Sequence, residues 1–107
     1  MKRYGQVIRL KEEYEEEYRK LHNDPMPGVN DIISDCNITN YSIFLLNGHL
    51  FSYFEYVGDD FEQDMKKMAA SEITKKWWAL TDPCQDRFIG AAEGEWWATM
   101  EEVYHLD

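Results

Sequence analysis

Two apolar-aromatic runs, Tyr41 to Leu46 and Leu50 to Val57, are joined through Asn47-Gly48. Asn-Gly tolerates positive φ at both central positions of a type I′ turn, so the pair reads as a β-hairpin. Side chains alternate between the two faces of a strand. Tyr41, Ile43 and Leu45 share one face, with Phe44 and Leu46 on the other; Phe51, Tyr53 and Val57 likewise oppose Leu50, Phe54 and Tyr56. Both faces are bulky and apolar, and such a sheet must be covered on both. Helices of the same chain can cover one. With so few strands available, a second copy of the sheet is the expected cover for the other.

The flanking segments supply those helices. Tyr4 to Leu10 is β-rich, and Lys11-Glu12-Glu13 opens a helix on which Tyr14, Tyr18 and Leu21 recur at i, i+4 and i+7. Asp24-Pro25 and Pro27-Gly28 stop it. Val29, Ile32, Ile33 and Cys36 mark a second short helix, and Phe61, Met65, Met68 and Ala69 a third after Gly58-Asp59-Asp60. Ser71 stands where it can cap a fourth, with Ile73, Trp77 and Leu80 on one stripe and Thr81-Asp82-Pro83 at its end. Cys84 to Gly94 reads as irregular, and Trp96 to His105 as a closing strand. The order β-α-α-β-β-α-α-β is an α+β, ferredoxin-like split βαβ arrangement with an extra helix after each main one. Two such sheets face to face make a dimeric α+β barrel, here from a single domain spanning 1–107.

Charge narrows the partners. Eleven basic against twenty-one acidic residues give a net charge of −10, a field that repels nucleic acid and anionic membrane and disfavours phosphorylated or carboxylate ligands. Neutral ligands remain. No stretch approaches the roughly 20 apolar residues of a membrane span, and the start of the chain lacks the apolar segment of a signal peptide. Cys36 and Cys84 show no CxxC spacing and read as two reduced thiols. The expectation is a cytoplasmic protein.

The residues able to do chemistry are few. Tyr18 and His22 lie one helical turn apart and project from one face; histidine is the most adaptable acid or base near neutral pH. Set against this, a histidine at a helix C-terminus can serve the helix dipole alone. Trp77 and Trp78 diverge by about 100° on a helix, so Trp77 fits the core stripe while Trp78 faces a pocket or a partner. Indole faces suit the C–H face of a pyranose. Trp96-Trp97 are assigned to core and dimer interface, and Tyr41 opens a strand where residues commonly rim pockets. His49 falls at the turn, facing solvent, and His105 on the last strand as a structural residue. No HExxH, P-loop, GxGxxG or GxSxG occurs, and no persuasive set of metal ligands.

Several co-linear segments carry a resemblance: Glu17-Tyr18-Arg19-Lys20-Leu21-His22; Asn40-Tyr41-Ser42-Ile43-Phe44; Trp77 through Gln85; Glu93-Gly94-Glu95-Trp96-Trp97; and Met100 through Asp107. Together they span nearly the whole chain, which resembles the L-rhamnose mutarotases. These are cofactor-free enzymes that interconvert the α and β anomers of L-rhamnose on a dimeric α+β barrel. The resemblance implies that His22 is the proton donor, that Tyr18, Tyr41, Trp77 and Trp78 contact the sugar, and that the protein is a homodimer needing no cofactor. One departure stands out. Where the family reads Trp-Pro-Glu, this chain has Met26-Pro27-Gly28, losing an aromatic and a carboxylate beside the site and bearing on which sugar fits.

Two rivals use the same fold, since fold alone does not fix function. One is a dimeric barrel that binds a small metabolite without transforming it; the other is a cofactor-free or haem-linked monooxygenase.

Overall fold

The structure, a computed structural model, describes residues 1–107. Strand β1 (Lys2–Leu10) leads through a 3-10 turn at Glu12–Tyr14 into α1 (Glu15–Asn23) and α2 (Val29–Asp35). The hairpin β2 (Ile38–Leu46) and β3 (His49–Tyr56) follows, then α3 (Phe61–Ala70) and α4 (Glu72–Thr81). A second 3-10 turn at Asp82–Cys84 precedes two short strands, β4 (Gln85–Asp86) and β5 (Ala98–Met100). All strands join one antiparallel sheet in the order β2-β3-β1-β4, with β5 also beside β1. This is the expected α+β, split βαβ order.

The hairpin forms as the turn chemistry requires, with φ of 51° at Asn47 and 74° at Gly48 and Leu46 opposite His49. A bulge interrupts β2 between Thr39 and Ser42. Asn40, at φ 49°, absorbs the irregularity immediately before Tyr41; asparagine tolerates this left-handed geometry better than most residues. Along β3 burial alternates strictly, with Leu50, Ser52, Phe54 and Tyr56 buried and the intervening residues half-buried.

The four helices cover one face of the sheet. There the core divides into two clusters. Ile8, Leu10, Tyr18, Leu50 and Cys84 form the first, and Cys36, Ile38, Phe54 and Met68 the second. Beside the second, Tyr4 stacks on Phe54 and Phe61 with ring centroids 5.1 and 4.5 Å apart. Asp64 ties α3 to the sheet by accepting hydrogen bonds from the Tyr56 hydroxyl and from Asn37 Nδ2. Both thiols, Cys36 and Cys84, are buried and unpaired. No helix is long and apolar enough to cross a membrane.

The other face stays open within one chain. Phe44 and Leu46 are 63% and 64% exposed, on the same face as Phe51 and His49, their cross-strand partners. Beyond β5 the tail is exposed through Val103, Tyr104 and Leu106. A bidentate pair from Arg3 to Glu102, both contacts 2.9 Å, holds its root against β1.

Several expectations are corrected. The closing strand is only Ala98–Met100, so Trp96, Trp97 and His105 lie outside it; His105 instead contacts Asp107 at 2.7 Å. The stretch after Cys84 is not wholly irregular, because Gln85–Asp86 pairs with Leu10 and Arg9. His49 is half-buried, its ring against Phe51 and Phe88. On α4 the buried residues are Thr74 and Thr81, whereas Ile73 and Leu80 are exposed. Apolar spacing mistook the outer side for the inner, because the inner side faces a cavity more than a packed core. Ser71 occupies the N-cap of α4 but its side chain makes no capping bond.

Gly28 begins α2 at φ 92°, and a Cβ there would lie 2.7 Å from Ile73 Cδ1 on α4. The loop at Met26-Pro27-Gly28 thus sits directly on α4. Gly28→Ala is expected to cost about 1–2 kcal/mol from the left-handed backbone alone, measurable by urea unfolding, with α2 displaced from α4.

Candidate active site

A cavity of about 1030 Å³ lies between the sheet and the helices. Its walls draw on both core clusters, with Tyr18 from one and Ile38, Phe54 and Met68 from the other. Helix α4 contributes Thr74, Trp77, Trp78 and Thr81, the i, i+3, i+4, i+7 set that forms one helical stripe. The two indoles therefore do not divide between core and surface. Their directions straddle the cavity, and both line it. Tyr41, Trp96 and Trp97 line it as well. Of the five residues singled out, Tyr18, His22, Tyr41, Trp77 and Trp78, all reach this one space.

The Tyr18 and His22 rings lie against each other, centroids 4.1 Å apart and planes inclined at 31°, and Trp77 meets His22 in a T-shaped contact at 5.1 Å. His22 Nδ1 lies 2.9 Å from the carbonyl oxygen of Tyr18. A carbonyl only accepts, so Nδ1 carries a hydrogen and Nε2 is the nitrogen left for a ligand. Burial lowers the His22 pKa below 6.5, partly opposed by this hydrogen bond. The imidazole is accordingly neutral at physiological pH, with a lone pair on Nε2.

Tyr18 is 5% exposed. Burial, and after it the neighbouring Tyr41, raises its phenol pKa, while a hydrogen bond from Gln85 works the other way. Gln85 Nε2 donates to the Tyr18 oxygen over 3.4 Å, and Gln85 Oε1 accepts from Trp96 Nε1 over 3.2 Å. Tyr41 is 42% exposed, yet burial raises its pKa too. Its open surface looks into the cavity, where protein surrounds the phenol, and its ring leans on Phe54 with centroids 5.6 Å apart.

Despite the net charge of −10, no lysine or arginine lines the cavity, and Asp82 is its single acidic side chain. Burial raises the Asp82 pKa, and the nearby Trp96 indole N–H opposes the shift. A lining of aromatic faces, amides, hydroxyls and one histidine suits a neutral, hydroxyl-rich ligand and offers nothing to hold a phosphate.

Asp82, Gln85, Trp96 and Trp97 also line the site, although the sequence alone gives none of them a binding role. Trp96 was placed in core and interface, and Gln85 carried no role, although both fall within segments that bear the resemblance. Their juxtaposition comes from β4 and the turn before β5 folding back on β1, a contact no local spacing encodes.

The fold and cavity thus define an α+β barrel-type domain with an aromatic site, Asp82 its one acidic group, around a Tyr-His pair. A family profile described as L-rhamnose mutarotase matches residues 3–106. An L-rhamnose mutarotase of Lactiplantibacillus plantarum is 37% identical over 109 residues, covering 100% of both chains. That of Bacillus subtilis is 32% identical over 112 residues, also covering all of both. The chain belongs to the L-rhamnose mutarotase family. Among solved structures, the L-rhamnose mutarotase of Formosa agariphila superposes with a TM-score of 0.77 at 22% identity over both whole chains. Tetracenomycin F2 cyclase from Streptomyces glaucescens has a TM-score of 0.67 at 11% identity, covering 100% of this chain and 98% of its own. At these identities both establish the shared fold.

The lowered His22 pKa predicts a pH effect on stability. In the unfolded chain His22 takes up a proton near 6.5, while the folded protein resists until a lower pH. Between the two values the unfolded state binds more protons, so stability falls as pH falls. Titration of His22 by NMR should give a midpoint below 6.5, and His22→Gln should flatten this part of the stability profile.

Proposed function

We propose that the protein is an aldose mutarotase acting on L-rhamnose or a close 6-deoxy-hexose, with His22 transferring protons and Tyr18, Tyr41, Trp77 and Trp78 contacting the sugar. The Tyr18–His22 ring contact with Trp77 set T-shaped against His22, all facing one cavity free of lysine and arginine, carries this reading. Mutarotation opens the ring hemiacetal when one group protonates the ring oxygen and another removes the anomeric hydroxyl proton. Closure on the opposite face reverses both transfers. Neutral His22 with Nε2 free is equipped for such exchange. The indoles of Trp77 and Trp78 offer flat apolar surface to the C–H face of a pyranose, and Tyr18 and Tyr41 offer phenol hydroxyls to its polar rim. Family membership favours this enzyme over a binding module or a monooxygenase. Two buried free thiols support a reducing, cytoplasmic setting.

NMR saturation transfer between anomers tests the activity directly. Added protein should accelerate α/β exchange of L-rhamnose above the buffer rate; unchanged exchange of L-rhamnose, L-fucose and L-mannose alike would refute it. His22→Ala should lose about 100-fold or more of the catalysed rate while still binding sugar. Trp78→Ala should raise KM more than it lowers kcat, because stacking serves ground and transition states alike.

A homodimer belongs to the same reading. Phe44 and Leu46 leave an open apolar sheet face of a kind soluble monomers rarely expose, and two-fold pairing through one shared patch is the commonest remedy. Sedimentation at micromolar concentration should give about twice the chain mass of 12.8 kDa. Replacing both residues with lysine should shift the species toward single-chain mass; a stable wild-type monomer would remove the sheet-to-sheet argument.

A further inference from the structure

We infer that Gln85, oriented by Trp96, sets the direction of the Tyr18 hydroxyl proton, so that Tyr18 begins the reaction as its acid and His22 as its base. The inference rests on the mutarotase reading above and assigns the two proton transfers that it leaves open.

The polarity follows from what each group is able to do. An indole N–H donates and never accepts. The end of the Gln85 side chain facing Trp96 Nε1, at 3.2 Å, is therefore the carbonyl oxygen. The other end, 3.4 Å from the Tyr18 oxygen, is the NH₂ group, which donates and never accepts. The contact is long, and its importance lies in direction more than strength. Gln85 is 4% exposed, so the amide sits where a reversed orientation would set its NH₂ against the Trp96 N–H. With its oxygen receiving a hydrogen from Gln85, the Tyr18 hydroxyl has to send its own elsewhere, and the side left open is the cavity that Tyr18 lines.

His22 is polarised the opposite way. Its Nδ1–H is committed to the Tyr18 carbonyl, and Nε2 presents a lone pair. One residue of α1 thus offers a proton to the cavity, and its neighbour one turn later offers an acceptor. Ring opening uses both groups. The anomeric O–H proton moves to His22 Nε2, the C1–O1 bond becomes a carbonyl, the C1–O5 bond breaks, and the Tyr18 proton moves to O5. After rotation about C1–C2, O5 adds to the other face of C1, its proton returns to the Tyr18 oxygen, and His22 Nε2 returns its proton to O1. His22 is a proton donor in this closing half. No oxidant, reductant or other reactant is consumed. Gln85 acts through Tyr18 and is a positioning residue.

Gln85→Glu, assayed up the pH scale to where the buried carboxyl ionises, tests this, since the carboxylate keeps the Trp96 bond but accepts from Tyr18, drawing the phenol proton away from the cavity. The expected result is a loss of about tenfold or more in kcat with KM for L-rhamnose changed by less than about threefold. The Tyr18→Phe, Gln85→Glu double variant should be no slower than Tyr18→Phe alone, the non-additivity of residues that act as a unit. Trp96→Phe, which frees the amide to turn over, should give a smaller kcat loss that also vanishes in the Tyr18→Phe background, and it serves if Gln85→Glu fails to fold. Independently of turnover, ¹⁵N NMR should find neutral His22 with its hydrogen on Nδ1. Wild-type kcat in Gln85→Glu at every pH, losses that multiply in the Tyr18→Phe background, or a hydrogen on Nε2 of neutral His22 would each overturn the assignment. Absence of any anomer exchange by the wild-type protein would instead refute the mutarotase reading itself, and this assignment with it.

Discussion

A phenol taken out of water has to place its hydroxyl on a partner, and the site is organised around how Tyr18 meets that requirement. Its ring packs with Ile8, Leu10, Leu50 and Cys84, so α1 cannot shift without disturbing the first apolar cluster. Its oxygen reaches Gln85, which comes from the edge strand β4. Its main-chain carbonyl holds His22 one turn later. A single buried residue therefore locks a helix to the sheet, receives a hydrogen bond from a distant strand and fixes the rotation of the imidazole beside it. The energetic share of each contact is modest. Their convergence on one side chain is what makes the geometry rigid.

The acidity of the chain and the character of its cavity are separate matters. The glutamates of α1 point to water, as at Glu16 and Glu17, while the cavity is lined largely by aromatic and apolar groups. The result is a negatively charged protein enclosing an almost uncharged site. Long-range repulsion keeps polyanions away from the outside, and the absence of lysine or arginine from the lining leaves an anion no counter-charge within it.

The hairpin was legible because Asn47-Gly48 dictates both turn type and register, and the alternation that follows assigns every side chain of β3 to a face. Tyr18 and His22 were legible as neighbours because helical spacing puts them together. Trp78, read as facing a pocket or a partner, lines the cavity, and Trp77, read onto the stripe of Ile73 and Leu80, lines it too. Hydrophobic spacing takes apolar to mean buried in a core, and a helix facing a cavity breaks that equation by presenting threonines and indoles inward and Ile73 and Leu80 outward. Gln85 and Trp96 were invisible as a pair, because their meeting depends on the path of the chain between β4 and β5, where only tertiary packing decides. The closing strand was overestimated for a related reason. Its aromatic residues look β-like, yet only Ala98–Met100 finds a partner on β1.

The division of the apolar core into two clusters has a further meaning. A domain of this size would ordinarily fill the gap between them, and leaving it open forgoes dispersion contacts that would otherwise count toward folding. The halves remain joined through the β1–β3 and β2–β3 ladders, which run the length of the strands. Whatever occupies the space touches walls belonging to each half at once. Occupancy and cohesion then become one thermodynamic quantity: the filled protein is the better-packed one, and the cooperativity of its unfolding is partly borrowed from the molecule it holds.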